Sequence, residues 1–438
     1  MLAWGRMIAW AIFDSLFYFS MRRPRLLRVG MGFFRRVWPI FEGPFASLGG
    51  TMFLVTRAVD VHEVLRRTTD FLLGPVNQKK ILQGDFIISL DPEHKYHDEK
   101  KLIGHSLPDN RLAEIERIVD SRADELLYKP ESPFEVAEFA ERITVAIVEH
   151  FWGLDPAGAQ SKVVCAEPGR ETMRLWLRKL AIVLGSREPA PFGIREIGLA
   201  CNEEFLSFVE AQCTTHSPDA RDMIGYMLKR SGGNVPVVSR NAAALMMTGS
   251  AVVTKAFCHA FDQILRRPRV LKDAIDIAKA PILDRPAMGY LLVEGLRFNP
   301  VFPVLPRYCV RNTTLAQGTP RATEIPAGSN VIASVLGAMF DPEAVDQPDR
   351  FSNARNLQLN RNFAADNWRY GSKRDGTPGD YMIFGGGDHW CLGDQMAIGE
   401  MASMAIALLG KLNNPRRPCY SSLRYDGSAV RSLRVWHG

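Results

Sequence analysis

The chain has few cysteines, and none of them forms a Cys-x-x-Cys pair. Their number, seven, is odd and their positions are scattered, which excludes a disulfide framework and a zinc ribbon. A reducing, cytoplasmic compartment is therefore expected, and a cysteine with a chemical role has to be identified by its neighbours. The seven cysteines are Cys165, Cys201, Cys213, Cys258, Cys309, Cys391 and Cys419.

The chain also lacks a basic tail, because its net charge of +6 is spread along the sequence. We therefore expect no nucleic-acid partner. No repeat, low-complexity tract or long Gly/Ser linker divides the 438 residues, and the composition, 46% apolar and 23% charged, is typical of a globular protein.

The N-terminus lacks a complete bilayer span. The run from Met7 to Met21 is almost wholly apolar, is broken by Asp14 and is followed by three arginines at positions 22, 23 and 25, but a span needs about 20 apolar residues. It also lacks the basic start and cleavage site of a signal peptide. Two interpretations remain: a helix in the membrane interface, which would give a peripheral membrane contact, or a helix packed on the protein. We treat residues 1–25 as a separate N-terminal segment and residues 26–438 as one domain.

The periodicity of apolar residues predicts a mainly α protein with small β-sheets. The segment from Asn241 is apolar on nearly every face, so a buried central helix is expected there. Ser352 to Asp380 has little periodicity and predicts a long irregular segment, which in proteins is usually functional. The helical segments are Arg111 to Leu127, Phe134 to Gly153, Ile194 to Cys213, Arg240 to Leu265 and Met288 to Phe298, and the strands are Tyr308 to Val310, Asn330 to Ile332 and Leu423 to Tyr425.

The strongest chemical signal is the string Phe-Gly-Gly-Gly-Asp-His-Trp-Cys-Leu-Gly, which ends at Gly393. Glycines allow a backbone to approach a flat ligand closely. Cys391 would lie just before a helix predicted from about Leu392 to Leu409, where the helix dipole favours a thiolate. Such a sulfur suits iron, although a lone cysteine beside a glycine turn is more often a small buried apolar residue.

The string resembles the cysteine-ligand loop of the cytochromes P-450, F-x-x-G-x-[RH]-x-C-x-G. Every fixed position of that loop is filled, by Phe384, Gly387, His389, Cys391 and Gly393. The resemblance implies a single large, mainly α P-450 fold that binds haem b through Cys391. It also implies that His389 contacts a haem propionate and that the central helix crosses the haem opposite the cysteine.

Further motifs occur in the order found in this family. Glu294-Gly-Leu-Arg297 is similar to the E-x-x-R helix, and Pro348-Asp-Arg350-Phe351 is similar to the later P-x-R-F segment. By resemblance, Glu294, Arg297 and Arg350 form a buried structural network that braces the cysteine loop.

Three more residues correspond to haem-propionate positions of the family. Arg307, in Leu-Pro-Arg-Tyr, matches a position whose arginine pairs with a propionate. The stretch from Asp91 to Lys101 resembles the start of the family's propionate-binding helix, which makes His97 and Lys101 candidates. A surface arginine and a solvated helix start are the alternatives.

The central helix departs from the family pattern. Typical members carry [AG]-G-x-[DE]-T there, an acid and an alcohol that deliver protons to dioxygen. Here the acid is replaced by Ala251 and the alcohol by Val252. Thr248 and Lys255 share the helix face of Ala251, whereas Thr254 is rotated by about 200° from Val252. Substrate or ordered water delivers the protons if nothing replaces the pair.

The resemblance implies oxidation of a hydrophobic small molecule with dioxygen and an external electron donor. Because the sequence ends soon after Cys391, we expect a separate ferredoxin- or flavodoxin-like partner. Alternatives are a peroxide-dependent peroxygenase or hydroperoxide-rearranging enzyme, and a non-enzymatic haem sensor. Candidate pocket residues, each of which would otherwise be core, are Met246, Met247, Phe302, Val304, Leu305 and Val430.

Overall fold

A computed structural model describes most of the chain, and helices dominate it. The N-terminal segment 1–25 lies outside the described residues except for its last two positions, and the irregular segment from Ser352 to Asp380 lies outside them entirely. The described residues are 24–45, 50–73, 85–91, 93–108, 110–184, 193–345, 347–351, 381–417, 423–426 and 429–438.

The helices confirm the mainly α expectation and follow the predicted periodicity closely. The helices of eight or more residues are α1 Pro24–Val37, α2 Ala58–Arg66, α3 His94–Ser106, α4 Arg111–Leu126, α5 Val136–His150, α6 Arg170–Leu184, α7 Ile194–Thr215, α8 Met223–Arg230, α9 Val235–Leu265, α10 Pro268–Ala278, α11 Arg285–Phe298 and α13 Asp394–Lys411, and the short α12 is Val335–Met339.

The strands are short, as expected, and form small sheets. One sheet has five strands in the order β1-β2-β8-β5-β3, antiparallel except for the β2–β8 pair. Three two-stranded sheets pair β10 with β9, β11 with β4 and β6 with β7. The strands are β1 Ile40–Phe45, β2 Gly50–Val55, β3 Phe71–Leu72, β4 Phe134–Glu135, β5 Leu305–Cys309, β6 Thr313–Leu315, β7 Thr323–Ile325, β8 Asn330–Ala333, β9 Arg424–Asp426, β10 Ala429–Ser432 and β11 Arg434–Val435.

The chain divides into two compact units. The first comprises Met1–Val76, Leu296–Ser352 and Asn360–Cys391. It contains the five-stranded sheet, whose strand β2 is buried along Met52 to Val55. Helices α1 and α2 both pack on α12 in this unit. The first unit therefore carries the cysteine loop together with the sheet.

The second unit contains most of the helices and is organised around α9. It comprises Asn77–Gly295, Asn353–Leu359 and Leu392–Gly438. The N-cap Asn234 accepts a hydrogen bond from the backbone N–H of Val237, which satisfies a donor that the first turn leaves free. Helices α5, α6, α7 and α13 pack around α9. Its apolar sequence is explained by this burial.

One polar residue fixes the N-terminal half of α9. The Asn241 side chain is fully buried, and its Oδ1 accepts from the Ile87 N–H at 2.9 Å. Its Nδ2 donates to a Glu99 carboxylate oxygen at 3.0 Å. A buried amide satisfied in this way favours one position of the helix over others.

By length and composition, α9 is the one helix among the described residues that could cross a bilayer. However, 67% of its most apolar window is buried inside the protein. The buried core helix of a globular protein can have the same length and apolar composition as a membrane-spanning helix.

Candidate active site

The cysteine loop is shaped by its three consecutive glycines. Gly385 has φ +87° and Gly387 has φ +63°, conformations that other residues rarely adopt. A Cβ on Gly387 would collide with the main-chain carbonyl oxygen of Leu65, near the end of α2, and a Cβ on Gly386 would press on the Leu65 side chain. The glycines therefore let the loop lie directly against α2.

Hydrogen bonds hold the loop in this position. The backbone N–H of Cys391 donates to the Phe384 carbonyl at 3.0 Å, and that of Trp390 donates to Gly387 at 3.1 Å. The Thr68 hydroxyl, just after α2, donates to Asp388 at 2.8 Å. The sulfur of Cys391 is thus carried by a fixed backbone.

Cys391 differs from most other cysteines because its side chain is exposed. Burial raises the pKa of the Cys201 thiol to about 11 and that of Cys213 to about 12. It also raises the pKa values of Cys258 and Cys309. These four stay protonated thiols near neutral pH, which makes them poor metal ligands.

Cys165 is the other exposed cysteine among the described residues. It lies in an irregular segment before α6, without glycines fixed by close packing. The described residues contain no group of three or more His, Cys, Asp or Glu side chains arranged for a metal ion. A haem, which takes one protein sulfur as a ligand, fits Cys391, the exposed cysteine that the glycine loop holds in place.

Two candidate propionate partners belong to the same unit as Cys391. Arg307 is buried on β5 and donates to the Pro306 carbonyl at 2.9 Å. His389 ends a single 3₁₀ turn, Gly387–His389, and is half-buried. A rigid strand and a fixed loop therefore position one cation and one imidazole within this unit.

The buried Arg297 ties α11 to a later stretch of the chain. Its guanidinium donates to the carbonyls of Pro348 at 2.6 Å, Arg350 at 2.9 Å and Met339 at 3.3 Å. Its side chain also lies 4.7 Å from the ring centre of Phe340. These contacts fix the chain that leads towards the cysteine loop.

The expected network of three buried side chains needs a correction. Glu294 and Arg297 are buried on α11, but the Arg350 side chain is exposed and hydrogen-bonds to Gln347 at 3.3 Å. Arg350 contributes its main-chain carbonyl instead. A carbonyl satisfies the guanidinium without the desolvation of a second buried cation.

The central helix has one accessible side in its middle, between the largely buried stretches 238–244 and 256–265. A Cβ placed on Gly249 meets no atom within 4 Å. Thr254, on the opposite side, is buried. The partly or fully accessible residues are Leu245, Thr248, Gly249, Ala251, Val252 and Lys255, which we call the open side of α9.

Thr248 lies on this open side, but its hydroxyl is bound to its own helix. The Oγ1 is 2.9 Å from the Ala244 carbonyl and 3.1 Å from the Leu245 carbonyl, so the hydroxyl proton is engaged there. The oxygen can still accept a hydrogen bond. Thr248 can therefore hold a water but is a weak proton donor.

Two predicted pocket residues were wrong. Met246 and Met247 are completely buried and belong to the core. Helical rotation turns both away from the open side, where Leu245 and Val252 lie instead. Leu245 lies one helical turn before Gly249 and therefore on the same face, so that spacing could have identified it as a pocket residue.

The remaining pocket candidates differ in accessibility. Phe302 is 44% exposed, whereas Val430 on β10 is 3% exposed. Val304 and Leu305, at the start of β5, are half-buried. Phe302, Val304 and Leu305 thus present apolar surface, and Val430 presents almost none.

His97 and Lys101 are both exposed on α3, one turn apart. Lys101 lines a cavity together with His105 of α3 and Arg230 of α8. On the neighbouring face of α3, Lys100 donates to the Tyr96 hydroxyl at 3.2 Å. The structure thus leaves the proposed cofactor role of His97 and Lys101 as a prediction.

Comparisons with known proteins agree with these features. The sequence model of the family Cytochrome P-450 matches residues 253–413, which include α11 and the cysteine loop. Pulcherriminic acid synthase of Bacillus subtilis is 20% identical over 83% of this chain and 84% of its own length. The chloroplastic cytochrome P-450 97B2 of Glycine max is 32% identical, over 27% of this chain and 23% of that relative.

The fold is shared with solved structures as well. The open structure of cytochrome P-450 EryK from S. erythraea superimposes with a TM-score of 0.74 at 20% identity, covering 94% of this chain and 96% of the other. Likeness at this identity shows the fold, and the family model matches the part of the chain that contains α11 and the cysteine loop. Residues 253–413 therefore match the cytochrome P-450 family, and the described fold is that of solved P-450 structures.

Proposed function

We propose that this protein is a haem-thiolate monooxygenase whose iron ligand is Cys391. The observation that carries the proposal is the exposed cysteine on a glycine loop locked against α2, in a chain whose other described cysteines, apart from Cys165, are buried. Haem b held by a thiolate supplies oxygen transfer from dioxygen to an organic substrate, driven by two external electrons.

The residues of the chain have separate roles in this proposal. The Cys391 sulfur binds the iron, and the loop bonds to Phe384 and Thr68 keep it in place. Arg307 and His389 bind haem propionates, because a guanidinium and an imidazole both donate hydrogen bonds to carboxylates. Arg297 keeps the supporting chain folded through its bonds to main-chain carbonyls.

The proposed substrate is a hydrophobic small molecule. Leu245, Ala251 and Val252 make the open side of α9 largely apolar. Apolar surface with a few polar groups is typical of small-molecule pockets. Lys255 would then favour a substrate that carries an acceptor or a negative charge at one end. An external ferredoxin- or flavodoxin-like protein would supply the electrons.

A second candidate function is peroxide-driven oxidation or hydroperoxide rearrangement. It is favoured by the open side of α9, where Ala251 and Val252 offer neither a titratable group nor a hydroxyl. Hydrogen peroxide brings its own electrons and protons and needs only a proton moved between its two oxygens, so the lack of an acid–alcohol pair at Ala251 and Val252 penalises it less. A non-enzymatic sensor is the third candidate, and turnover of any substrate would exclude it.

The iron ligand can be tested by spectroscopy. We expect one haem b per chain and the strongly red-shifted Soret band of thiolate ligation in the reduced carbon monoxide complex. Cys391→Ala should abolish that band, whereas Cys165→Ala, at the other exposed cysteine, should leave it unchanged. An imidazole-type spectrum in the unaltered protein would overturn the proposal.

The reaction type needs a second experiment. A substrate library is screened by Soret shift, and each hit is incubated in parallel with a reductase system and with hydrogen peroxide. Product only with reductase supports the monooxygenase, and product only with peroxide supports the second candidate. No product from any hit would favour the sensor.

A further inference from the structure

Helix α1 is oriented with arginines towards the protein. The Arg28 guanidinium lies 4.8 Å from the ring centre of Phe340 and 3.9 Å from Asp349. About two turns further on, Arg35 donates to the Gly337 carbonyl at 3.2 Å and pairs with Asp341. These contacts fix the rotation of α1 about its axis.

As a result, the opposite face of α1 presents apolar side chains to solvent. Leu26 is 51% exposed, Val29 71%, Phe33 54% and Val37 48%. Their spacing of three, four and four residues places them within an arc of about 80°. An exposed apolar stripe on one helix face marks an interaction surface.

Aromatic side chains extend this stripe beyond the end of α1. Trp38 is 51% exposed, and its ring centre lies 6.1 Å from that of Phe33 and 6.0 Å from that of Phe41. Tryptophan is the residue most enriched at membrane–water interfaces, because it is apolar with one polar N–H. We call the stripe together with Trp38 the α1 surface.

Every charged residue of α1 is an arginine. Arg25 and Arg36 are exposed, and at 100° per residue both lie about 20–40° from Val29, at the edge of the stripe. From Ser15 to Phe41 the sequence contains six arginines and no acidic residue. Arginines that flank apolar residues can extend to phosphate groups while the apolar residues enter the acyl boundary.

We infer that the α1 surface docks this protein on an anionic lipid bilayer, with Leu26, Val29, Phe33 and Val37 in the interface and Arg25 and Arg36 at the headgroups. A second copy of the chain is a poorer occupant. Isologous pairing would bring the arginines of both copies together without an acidic partner.

Vesicle co-sedimentation tests this inference. The full chain is incubated with vesicles of phosphatidylcholine alone and of phosphatidylcholine with 30% phosphatidylglycerol. We expect binding to the anionic vesicles that weakens as salt is raised, since surface charge is screened within about 10 Å at 0.1 M. Equal binding to both vesicle types, or to neither, would overturn the inference.

Two pairs of variants locate the contact. Val29→Ser with Phe33→Ser should weaken binding by on the order of tenfold, while Ile282→Ser with Leu283→Ser, at exposed apolar residues elsewhere, should not. Arg25→Gln with Arg36→Gln should cost about fivefold per arginine. The control Lys229→Gln with Lys272→Gln, at exposed lysines, should have little effect.

The position of Trp38 gives an independent readout. Lipids brominated near the headgroup should quench more tryptophan fluorescence in the unaltered chain than in Trp38→Phe. If Val29→Ser with Phe33→Ser leaves vesicle binding intact, another segment makes the contact and the inference fails. It also fails if those variants only abolish self-association in sedimentation velocity, because the occupant is then a second copy. Near-ultraviolet circular dichroism shows whether each variant is folded.

Discussion

The buried guanidinium of Arg297 donates a 2.6 Å hydrogen bond to the main-chain carbonyl of Pro348. The same side chain also reaches the carbonyls of Met339 and Arg350. One arginine on α11 thus satisfies the carbonyl of the last residue of α12 and two carbonyls of the irregular stretch around Pro348. Its removal leaves these carbonyls without their donor.

We predict that Arg297→Ala prevents stable folding or haem incorporation. Breaking a buried charge interaction of this kind costs about 3–5 kcal/mol. Arg350→Ala is the matched control, because its side chain is exposed and its carbonyl is retained. Its free energy of unfolding should change by about 0.5 kcal/mol or less.

Urea denaturation and haem content measure both effects. A well-folded, haem-loaded Arg297→Ala protein with selectively lost turnover would contradict the bracing role. If Arg350→Ala lost as much stability and haem content as Arg297→Ala, the side chain of Arg350 would belong to the bracing network together with Glu294 and Arg297.

Much of the fold could be predicted because its helices are long and periodic. The segment predicted from Arg111 to Leu127 corresponds to α4, and that from Ile194 to Cys213 corresponds to α7. Strands β1 and β2 were missed. Pro44 and two glycines interrupt their pattern, and the pairing of β2 with β8 bridges a large sequence separation that local periodicity does not report.

We predict that Gly387→Ala disrupts the cysteine loop. The positive φ is strained for alanine, and the added methyl group would meet the Leu65 carbonyl, which belongs to a helix and cannot move easily. Gly410→Ala, near the end of α13, is the control. An added methyl group there makes only an ordinary 3.6 Å contact, and alanine favours the helix by about 1 kcal/mol.

Haem titration of the two apoproteins, followed at the Soret band, distinguishes them. Gly387→Ala should bind haem weakly or with altered ligation, and Gly410→Ala should bind normally. Equal haem affinity and identical spectra would show that α2 can shift to make room for the methyl group added at position 387.

The sequence predicted only those parts of the candidate site that lie within short local motifs. Cys391 and its glycines stand out in the sequence, but their partners Leu65 and Thr68 lie more than 300 residues earlier. No short pattern connects such distant residues. The error at Met246 and Met247 has another cause. A helix that is apolar on nearly every face does not reveal which side is open.

Glu400, inside α13, provides a pH-dependent prediction. Its side chain is buried, and its Oε1 has no hydrogen-bond partner within the part of the chain that the structure describes. Burial raises the pKa of Glu400 from 4.5 to about 8. The folded protein therefore keeps the proton up to about pH 8, whereas the unfolded chain loses it above about pH 4.5.

The folded state binds more protons than the unfolded state between these two values, so the free energy of unfolding falls as pH rises from 4.5 to 8. Glu400→Gln removes this effect. We expect the variant to gain stability relative to the unaltered protein as pH rises, by on the order of a few kcal/mol at pH 8. Urea denaturation at pH 5 and pH 8 measures the difference. A stability difference independent of pH would show that Glu400 is not protonated in the fold.

The last prediction concerns proton delivery from the open side of α9. Ala251 and Val252 are accessible there but carry no transferable proton, and the hydroxyl of Thr248 is bound to its own helix. With dioxygen and a redox system, we therefore expect much of the electron donor to be consumed without product. The reduced oxygen should appear as hydrogen peroxide, unless the substrate carries a hydroxyl or carboxylate of its own.

Restoring the pair as Ala251→Asp with Val252→Thr should raise the yield of product per electron donor consumed. Positioned proton transfer is typically worth about 10²–10⁴ in rate, and both positions are open enough to accept polar side chains. Thr254→Val is the control, since Thr254 is buried on the opposite side of the helix and should not affect coupling. One substrate without polar groups and one redox system must be used throughout. If the unaltered protein already couples tightly and the double variant brings no gain, an ordered water held by the Thr248 oxygen delivers the proton, and Thr248→Val should then uncouple the reaction.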